Sequence, residues 1–203
     1  MLQENDMKKI VLLFMALLFS ACSVVSPSQT LPFARYFSIS LDHNISTVNM
    51  QKDVTIMVAL PKGLVYTNEI FYKKDGIVNT YAYHFWQDNL NLLIKNFLET
   101  SLENTKIFKA VLNQDSLAKT DFILESKVNV LEQDFINNEE SIAKFGISLT
   151  LINMNDKNIV ASRYFYYEKK LDESEPELLM QVYNEIFSQF NQDLNSWMGQ
   201  ILE

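Results

Sequence analysis

Apolar and polar side chains alternate along much of the chain after residue 35. Residues 54–60 carry apolar side chains at every second position, and similar alternation recurs in residues 122–135, 143–151 and 159–167. This pattern predicts β-strands, because successive side chains of a strand point to opposite faces of a sheet. A shorter strand is predicted at residues 107–112. The last three strands of the chain are expected to form an antiparallel meander with one face in water.

Glycine, proline and aspartate mark turns between these segments. Pro61 and Gly63 are predicted to end the first strand in a turn. Residues 69–72 and 78–83 are predicted to pair as a hairpin. The Asp-Gly sequence at residues 75–76 between them suits a tight turn, because glycine accepts a positive φ.

Two segments repeat their apolar residues at steps of three and four, which predicts amphipathic helices. The first helix has its stripe at Trp86, Leu90, Leu93, Ile94, Phe97, Leu98 and Leu102. The second begins at a predicted capping box formed by Ser174 and Glu177. Its stripe comprises Leu179, Val182, Tyr183, Ile186, Phe190, Leu194 and Trp197. Together these elements predict a single α+β domain, with a mixed, mostly antiparallel sheet and two long helices packed on one face.

The composition narrows the range of functions. The 203 residues carry a formal net charge of −8, so nucleic acid is not an expected partner, because its phosphates would be repelled. The single cysteine excludes an internal disulfide and a multi-cysteine metal site. Glycine and proline number only four each, which is unlike a linker-rich or disordered chain.

The first residues have the order basic, apolar, small that is typical of an export signal. Lys8 and Lys9 precede ten residues without a polar side chain at 10–19, and Ser20 and Ala21 follow. The apolar run is shorter than the roughly 20 residues that span a bilayer. Residues 1–21 are therefore predicted to be a signal peptide.

The sequence FSAC at residues 19–22 resembles the lipobox of bacterial lipoproteins. The resemblance implies that Cys22 carries acyl chains, which hold a protein on a membrane through the burial of their methylene groups. Residues 22–34 would then be the lipidated cysteine and a tether, and residues 35–203 the folded domain. Ser23 favours the outer membrane by the same resemblance. Two alternatives are a core helix with a free thiol and an ordinary signal peptide that is cleaved elsewhere, and Met7 is an alternative start.

Residues suited to catalysis are few, and we predict no enzyme, no cofactor and no metal site. His43 and His84 have no cysteine or carboxylate at metal-ligand spacing. Asp134, Glu139 and Glu140 lie in or beside a predicted loop, where a solvated acidic surface is the simpler interpretation.

Two apolar groups are candidates for binding a partner. Tyr164 and Tyr166 occupy alternate positions of a predicted strand, and if they face outward they would line a surface for a partner or a lipid. Leu64, Val65 and Tyr66 follow the predicted turn. An exposed Leu-Val-Tyr sequence is unfavourable without a purpose, so this segment either folds back on the core or docks onto another chain.

Taken in order, several core and turn motifs resemble the ABC-type transport auxiliary lipoprotein family, to which PqiC-like proteins belong. The motifs are VALPKGL at 58–64, EIFY at 69–72, YAYHFW at 81–86, DFIL at 121–124, SRYF at 162–165 and a final helix ending at Trp197. The resemblance implies a periplasm-facing lipoprotein that acts beside an MCE-type ABC lipid transport system. Its implied partners are an MCE-domain protein, the ABC permease and ATPase, and further copies of the chain in a homo-oligomer ring.

Two other functions remain open at this point. One is a lipoprotein that binds lipid or lipopolysaccharide directly during outer-membrane assembly, for which a cavity between helices and sheet would be needed. The other is a periplasmic hydrolase, which the small number of histidines disfavours.

Overall fold

The structure is a computed structural model that describes residues 32–39, 52–63, 67–138, 140–171, 173 and 175–202. The chain divides into two compact units, Met1–Phe33 and Ala34–Glu203. The first unit lies almost entirely outside the described residues, and so do Cys22 and the predicted tether up to residue 31.

Nine strands and two helices make up the described part of the second unit. The strands are β1 (Arg35–Phe37), β2 (Lys52–Val58), β3 (Lys62–Gly63), β4 (Glu69–Lys74), β5 (Ile77–Trp86), β6 (Phe108–Leu112), β7 (Phe122–Phe135), β8 (Ser141–Asn153) and β9 (Ile159–Leu171). The helices are α1 (Leu90–Thr105) and α2 (Pro176–Leu202). The predicted α+β class, with a mixed sheet and two helices, is confirmed.

The predicted meander is the longest continuous part of the sheet. β7 pairs with β8 in antiparallel register from Phe122 opposite Asn153 to Phe135 opposite Ser141. β8 pairs in turn with β9, again antiparallel and along nearly its whole length. Because these strands are long and joined by short connections, the antiparallel pairings are more extensive than the parallel ones.

The other edge of β7 is occupied by three short strands in succession, all parallel to it. β2 pairs with its first residues, β3 with its middle and β4 with its last residues. Residues 52–74 therefore follow β7 as one interrupted strand. β6 lies beyond β2, while β5 and then β1 lie beyond β4, so the sheet forks on this side.

Residues 62–63 form strand β3 where the sequence predicted a turn, so that prediction was wrong. Gly63 has a φ of 111° and pairs with Val128, and a Cβ at this position would overlap the carbonyl oxygen of Val128. The glycine is needed for close backbone approach as well as for its conformation.

The register changes between β3 and β4. Gly63 pairs with Val128 and Tyr72 with Gln133, so nine steps along this chain segment correspond to five steps along β7. The predicted docking segment of Leu64, Val65 and Tyr66 falls within this interval and lies outside the described residues.

The predicted hairpin is present. β4 and β5 pair antiparallel, and the two residues between them, Asp75 and Gly76, both have positive φ values of 51° and 78°. Both strands extend further than the sequence indicated, and β5 continues through Trp86.

Helix α1 begins at Leu90, four residues later than the apolar stripe predicted. Trp86 instead ends β5, where its backbone N–H donates to the carbonyl oxygen of Asn68 at 2.6 Å. Its indole ring is buried near Tyr183 of α2. A side chain at the junction between strand and helix can fill the core from either element, so the apolar repeat did not locate the boundary.

Helix α2 begins at Pro176, as predicted within two residues. Ser174 of the predicted capping box lies outside the described residues. The Glu177 carboxylate forms an ion pair with Arg35 of β1. This contact joins the first described strand of the unit to its last helix.

The core lies between the sheet and the two helices, which pack on one face of it as predicted. α1 contacts β2 and β6, α2 contacts β8 and β9, and the helices contact one another. Ser101 of α1 donates to Asn191 of α2, so the buried hydroxyl has a partner at the helix contact.

Candidate partner-binding surface

Tyr164 and Tyr166 lie on the side of β9 that faces away from the helices. Their side chains are 53% and 45% exposed, whereas Phe165 between them is 3% exposed and packs against Phe190 of α2. The alternation predicted from the sequence therefore places both tyrosines outward. We call the outward side of β7, β8 and β9 around these residues the meander face.

The tyrosine rings form an ordered pair on the meander face. Their centroids are 6.2 Å apart and the ring planes are 30° from parallel. The Tyr164 ring extends over Gly146 of β8, where a Cβ would lie only 2.5 Å from the tyrosine hydroxyl. Gly146 thus makes room for the ring to lie against the sheet, and a flat aromatic surface results.

Polar contacts surround the tyrosine pair. The Tyr166 hydroxyl donates to Glu168 at 2.9 Å, and partial burial together with that hydrogen bond raises the pKa of the phenol. Lys144 forms an ion pair with Asp134 beside it. An aromatic centre with a polar rim is the usual composition of a protein docking surface.

Strand β3, which precedes the predicted docking segment in the chain, lies at the same level of the sheet as Tyr164. Tyr164 is opposite Ser148, Ser148 is opposite Lys127, and Lys127 pairs with Lys62 of β3. At a strand spacing of about 4.8 Å, the three spacings from β9 to β3 amount to about 14 Å. Gly63, which immediately precedes Leu64, is therefore close enough to the tyrosine pair for one partner to contact both regions.

The opposite side of the same strands is filled by aromatic rings. Phe145 of β8 contacts Phe187 at a centroid distance of 4.7 Å and Phe190 at 5.3 Å. Phe97 of α1 contacts the same two rings at 5.2 and 5.6 Å. A lipid chain between helices and sheet would have to displace these side chains.

The other residues considered for chemistry have structural contacts. His84 stacks on Phe37 at 5.8 Å, and its pKa is lowered by burial and by the nearby charge of Arg35. Glu140 pairs with Lys170. Within the part of the chain that the structure describes, no three His, Cys, Asp or Glu residues lie together as a metal site would require. His43 and Glu139 lie outside that part.

Sequence reasoning missed the glycine beneath Tyr164. Gly146 is an isolated glycine inside a predicted strand, where glycine has a low strand propensity. An isolated glycine at such a position is the usual signal of close approach by another group. It also missed the ion pair between Arg35 and Glu177, for which no local pattern exists, because the two residues are 142 positions apart.

No described helix is long and apolar enough to cross a membrane. No family model matches the chain. An uncharacterized protein from Bradyrhizobium diazoefficiens is 24% identical over 150 residues, which represent 72% of this chain and 40% of that protein. The chain thus spans less than half the length of this curated relative.

Two solved structures share the architecture. A crystal structure of a Xanthomonas campestris protein described as DUF330 aligns with a TM-score of 0.71 and 16% identity, over 82% of this chain and 95% of that one. A second, uncharacterized protein aligns with a TM-score of 0.64 and 13% identity, over 82% of this chain and 99% of that one. At these low sequence identities, the structural similarity establishes the fold of the chain.

Proposed function

We propose that this chain is a periplasm-facing lipoprotein, anchored to the outer membrane through acylated Cys22, that acts as an auxiliary component of an MCE-type ABC lipid transporter. It has no catalytic role in this proposal, and other subunits hydrolyse ATP. The folded domain docks onto the MCE-domain protein or the permease through the meander face and the segment of Leu64, Val65 and Tyr66.

The observation that carries the proposal is an exposed, ordered tyrosine pair on a domain whose interior is filled. The domain offers a surface on one side of its sheet, whereas the other side is occupied by the rings of Phe97, Phe145, Phe187 and Phe190. This arrangement favours docking over the alternative function of enclosing a lipid or lipopolysaccharide.

The motifs that carry the family resemblance also support a shared architecture. Gly63 permits the close pairing of β3 with β7. Asp121 at the start of β7 accepts hydrogen bonds from the backbone N–H and the hydroxyl of Thr55, at 2.7 and 2.8 Å. Trp86 fills the core at the end of β5. These three motifs thus correspond to structural requirements of this forked sheet.

Affinity purification of the natively lipidated chain from mildly solubilised envelopes tests the proposal. We expect an MCE-domain protein, its permease or its ATPase to be recovered, together with further copies of the chain if a ring forms. Intact-mass analysis of the same sample checks the acylation of Cys22.

The Tyr164→Ser/Tyr166→Ser double variant should lose these partners while remaining acylated. Ile159→Ser/Val160→Ser is a matched control, since these two side chains are also exposed on β9 but lie at its first residues. Recovery of lipid or an outer-membrane barrel without any transporter subunit would contradict the proposal and favour direct lipid handling.

A further inference from the structure

One end of the sheet carries an exposed apolar group that the docking proposal does not use. Ile77 and Val78 of the β4–β5 hairpin are 63% and 56% exposed, and Ile136, just after β7, is 56% exposed. We call residues 73–78 and 135–138 the hairpin end of the sheet. Large aliphatic side chains that are exposed together at one end of a sheet indicate an interaction.

The two segments of the hairpin end are held side by side. Lys73 pairs with Val78 across the hairpin and with Asp134 of β7, so the three strands end at the same level. The Lys74 ammonium group donates to the side-chain oxygen of Asn138 at 2.8 Å. Ile77 and Val78 are consecutive residues of β5, so their side chains lie on opposite faces of the sheet, and the exposed aliphatic side chains lie around this end of the sheet rather than on one face.

The charge of the hairpin end suits a lipid surface better than the net negative charge of the whole chain suggests. Lys73 and Lys74 lie within the hairpin. Asp75 lies in the hairpin turn, so residues 73–78 carry two lysines against one aspartate. Two nearby carboxylates, Asp134 and Glu140, are paired with Lys144 and Lys170. Lysines beside aliphatic side chains are the combination found in segments that rest in the headgroup region of a bilayer.

The direction of β1 relates the hairpin end to the membrane anchor. β1 is parallel to β5, with Arg35 opposite His84, and β5 runs away from the hairpin end. The chain therefore enters β1 from the side on which the hairpin end lies. The hairpin is seven residues of β5 from His84, or about 23 Å at 3.3 Å per residue.

The length of chain before β1 is sufficient for this placement. Arg35 is thirteen positions after Cys22, and thirteen residue steps can extend over at most about 45 Å. That length exceeds the distance from Arg35 to the hairpin end, so an acylated Cys22 can lie in a bilayer that the hairpin end touches. The opposite end of the sheet lies in the direction in which β1 runs, away from the incoming chain.

We propose that the hairpin end is a membrane-contact site, with Ile77, Val78 and Ile136 inserted among the headgroups of the bilayer that holds Cys22. This proposal rests on the anchoring part of the proposed function. It orients the domain, because the hairpin end contacts lipid while the opposite end of the sheet points away from the membrane.

Fluorescent labelling tests the orientation. Because Cys22 is acylated in this proposal, a cysteine introduced by Val78→Cys would be the only thiol available to a label. The natively lipidated chain is reconstituted into phosphatidylcholine vesicles, with and without phosphatidylglycerol, and lipids that carry quenchers at known depths are added. We expect the label at position 78 to be quenched at a depth of about 5–10 Å below the surface.

Leu117→Cys is the matched control, since Leu117 is fully exposed in the loop that precedes β7 at the opposite end of the sheet. Its label should show no quenching by lipid. Adding Ile77→Ser and Ile136→Ser to the Val78→Cys chain should abolish the quenching at position 78 while leaving the protein in the vesicles.

The outcomes separate this proposal from the proposed function. Quenching at position 78 and not at 117 supports membrane contact. An acylated chain with no quenching at position 78, or with quenching at 117 instead, overturns the orientation and leaves the lipoprotein intact. Protection of position 78 in native envelopes without lipid quenching would show that a protein covers the hairpin end. An intact-mass measurement that finds Cys22 unacylated overturns both proposals.

Discussion

The two sides of strands β8 and β9 share one backbone and differ in what their side chains do. On the helix side, Phe145 and Phe165 are buried against the aromatic rings of α2. On the meander face, Tyr164 lies over Gly146, and both Tyr164 and Tyr166 are half exposed to water. The first side stabilises the domain and the second is available to a partner, so substitutions on the two sides should separate folding from function.

The largest loss of stability is expected for Phe190→Ala on the helix side. The Phe190 ring is buried and contacts Phe97, Phe145 and Phe165 at centroid distances of 5.6, 5.3 and 5.4 Å. Removing it should lower the free energy of unfolding by about 3–5 kcal/mol, because a cavity remains in a packed core. Denaturant unfolding measures this loss, and a decrease below about 1 kcal/mol would mean that the rings are not packed as described.

Gly63→Ala tests whether only buried residues contribute strongly to stability, since Gly63 is exposed. A methyl group there would collide with the Val128 carbonyl and impose an unfavourable positive φ, so we expect a loss of at least about 2 kcal/mol. Gly199→Ala in α2 is the control, because its Cβ meets no neighbour, and it should stabilise the helix by up to about 1 kcal/mol. Equal thermal shifts for the two variants would contradict this account of β3.

Gly146→Ala should have a smaller effect, although its Cβ would also collide with a neighbour. The Cβ would lie 2.5 Å from the Tyr164 hydroxyl, which can swing away, and 2.8 Å from Cγ1 of Val130, so the loss should be about 1–2 kcal/mol. The displaced ring should weaken partner recovery. Combining Gly146→Ala with Tyr164→Ser removes the tyrosine ring and leaves the contact with Val130, so the two stability losses should sum to slightly more than the loss of the double variant.

The smallest change in stability is expected for Tyr164→Ser/Tyr166→Ser. The free energy of unfolding should change by no more than about 1 kcal/mol, since both rings are half exposed. Recovery of transporter subunits should nevertheless be lost. If this variant unfolds as readily as Phe190→Ala, the tyrosines stabilise the sheet and the comparison between its two sides fails.

Local patterns accounted for the elements whose burial is regular. The predicted strand at residues 122–135 coincides with β7, and the Asp-Gly turn lies where the sequence placed it. These patterns were less successful at boundaries between elements. Trp86 fits the apolar pattern of the following helix, but it is the last residue of strand β5. They also missed β3, because the pairing of Lys62 and Gly63 depends on a strand about 65 residues later in the chain.

The candidate surface was predictable in part. Alternation alone places Tyr164 and Tyr166 on the side opposite Phe165. The same pattern does not show that Tyr164 lies over Gly146, because that contact joins neighbouring strands. It also does not show that Tyr164 and Lys62 share a level of the sheet, which depends on the registers of three pairings in succession.

The sequence by itself determined which residues are buried in the helices and in the regularly alternating parts of the strands, because the periods of two and 3.6 residues record side-chain direction directly. It also determined the acidic charge and the single cysteine. It did not show the register shift between Val128 and Val130, after which Leu131 and Gln133 of β7 are buried. Only the tertiary structure decided that β7 pairs with β2, β3 and β4 in turn, that the sheet forks, and that Ile136 lies beside the hairpin of Ile77 and Val78. The physical reason is that backbone hydrogen bonds hold strands together, and every residue except proline offers the same donor and acceptor, so the side-chain pattern does not record the choice of partner.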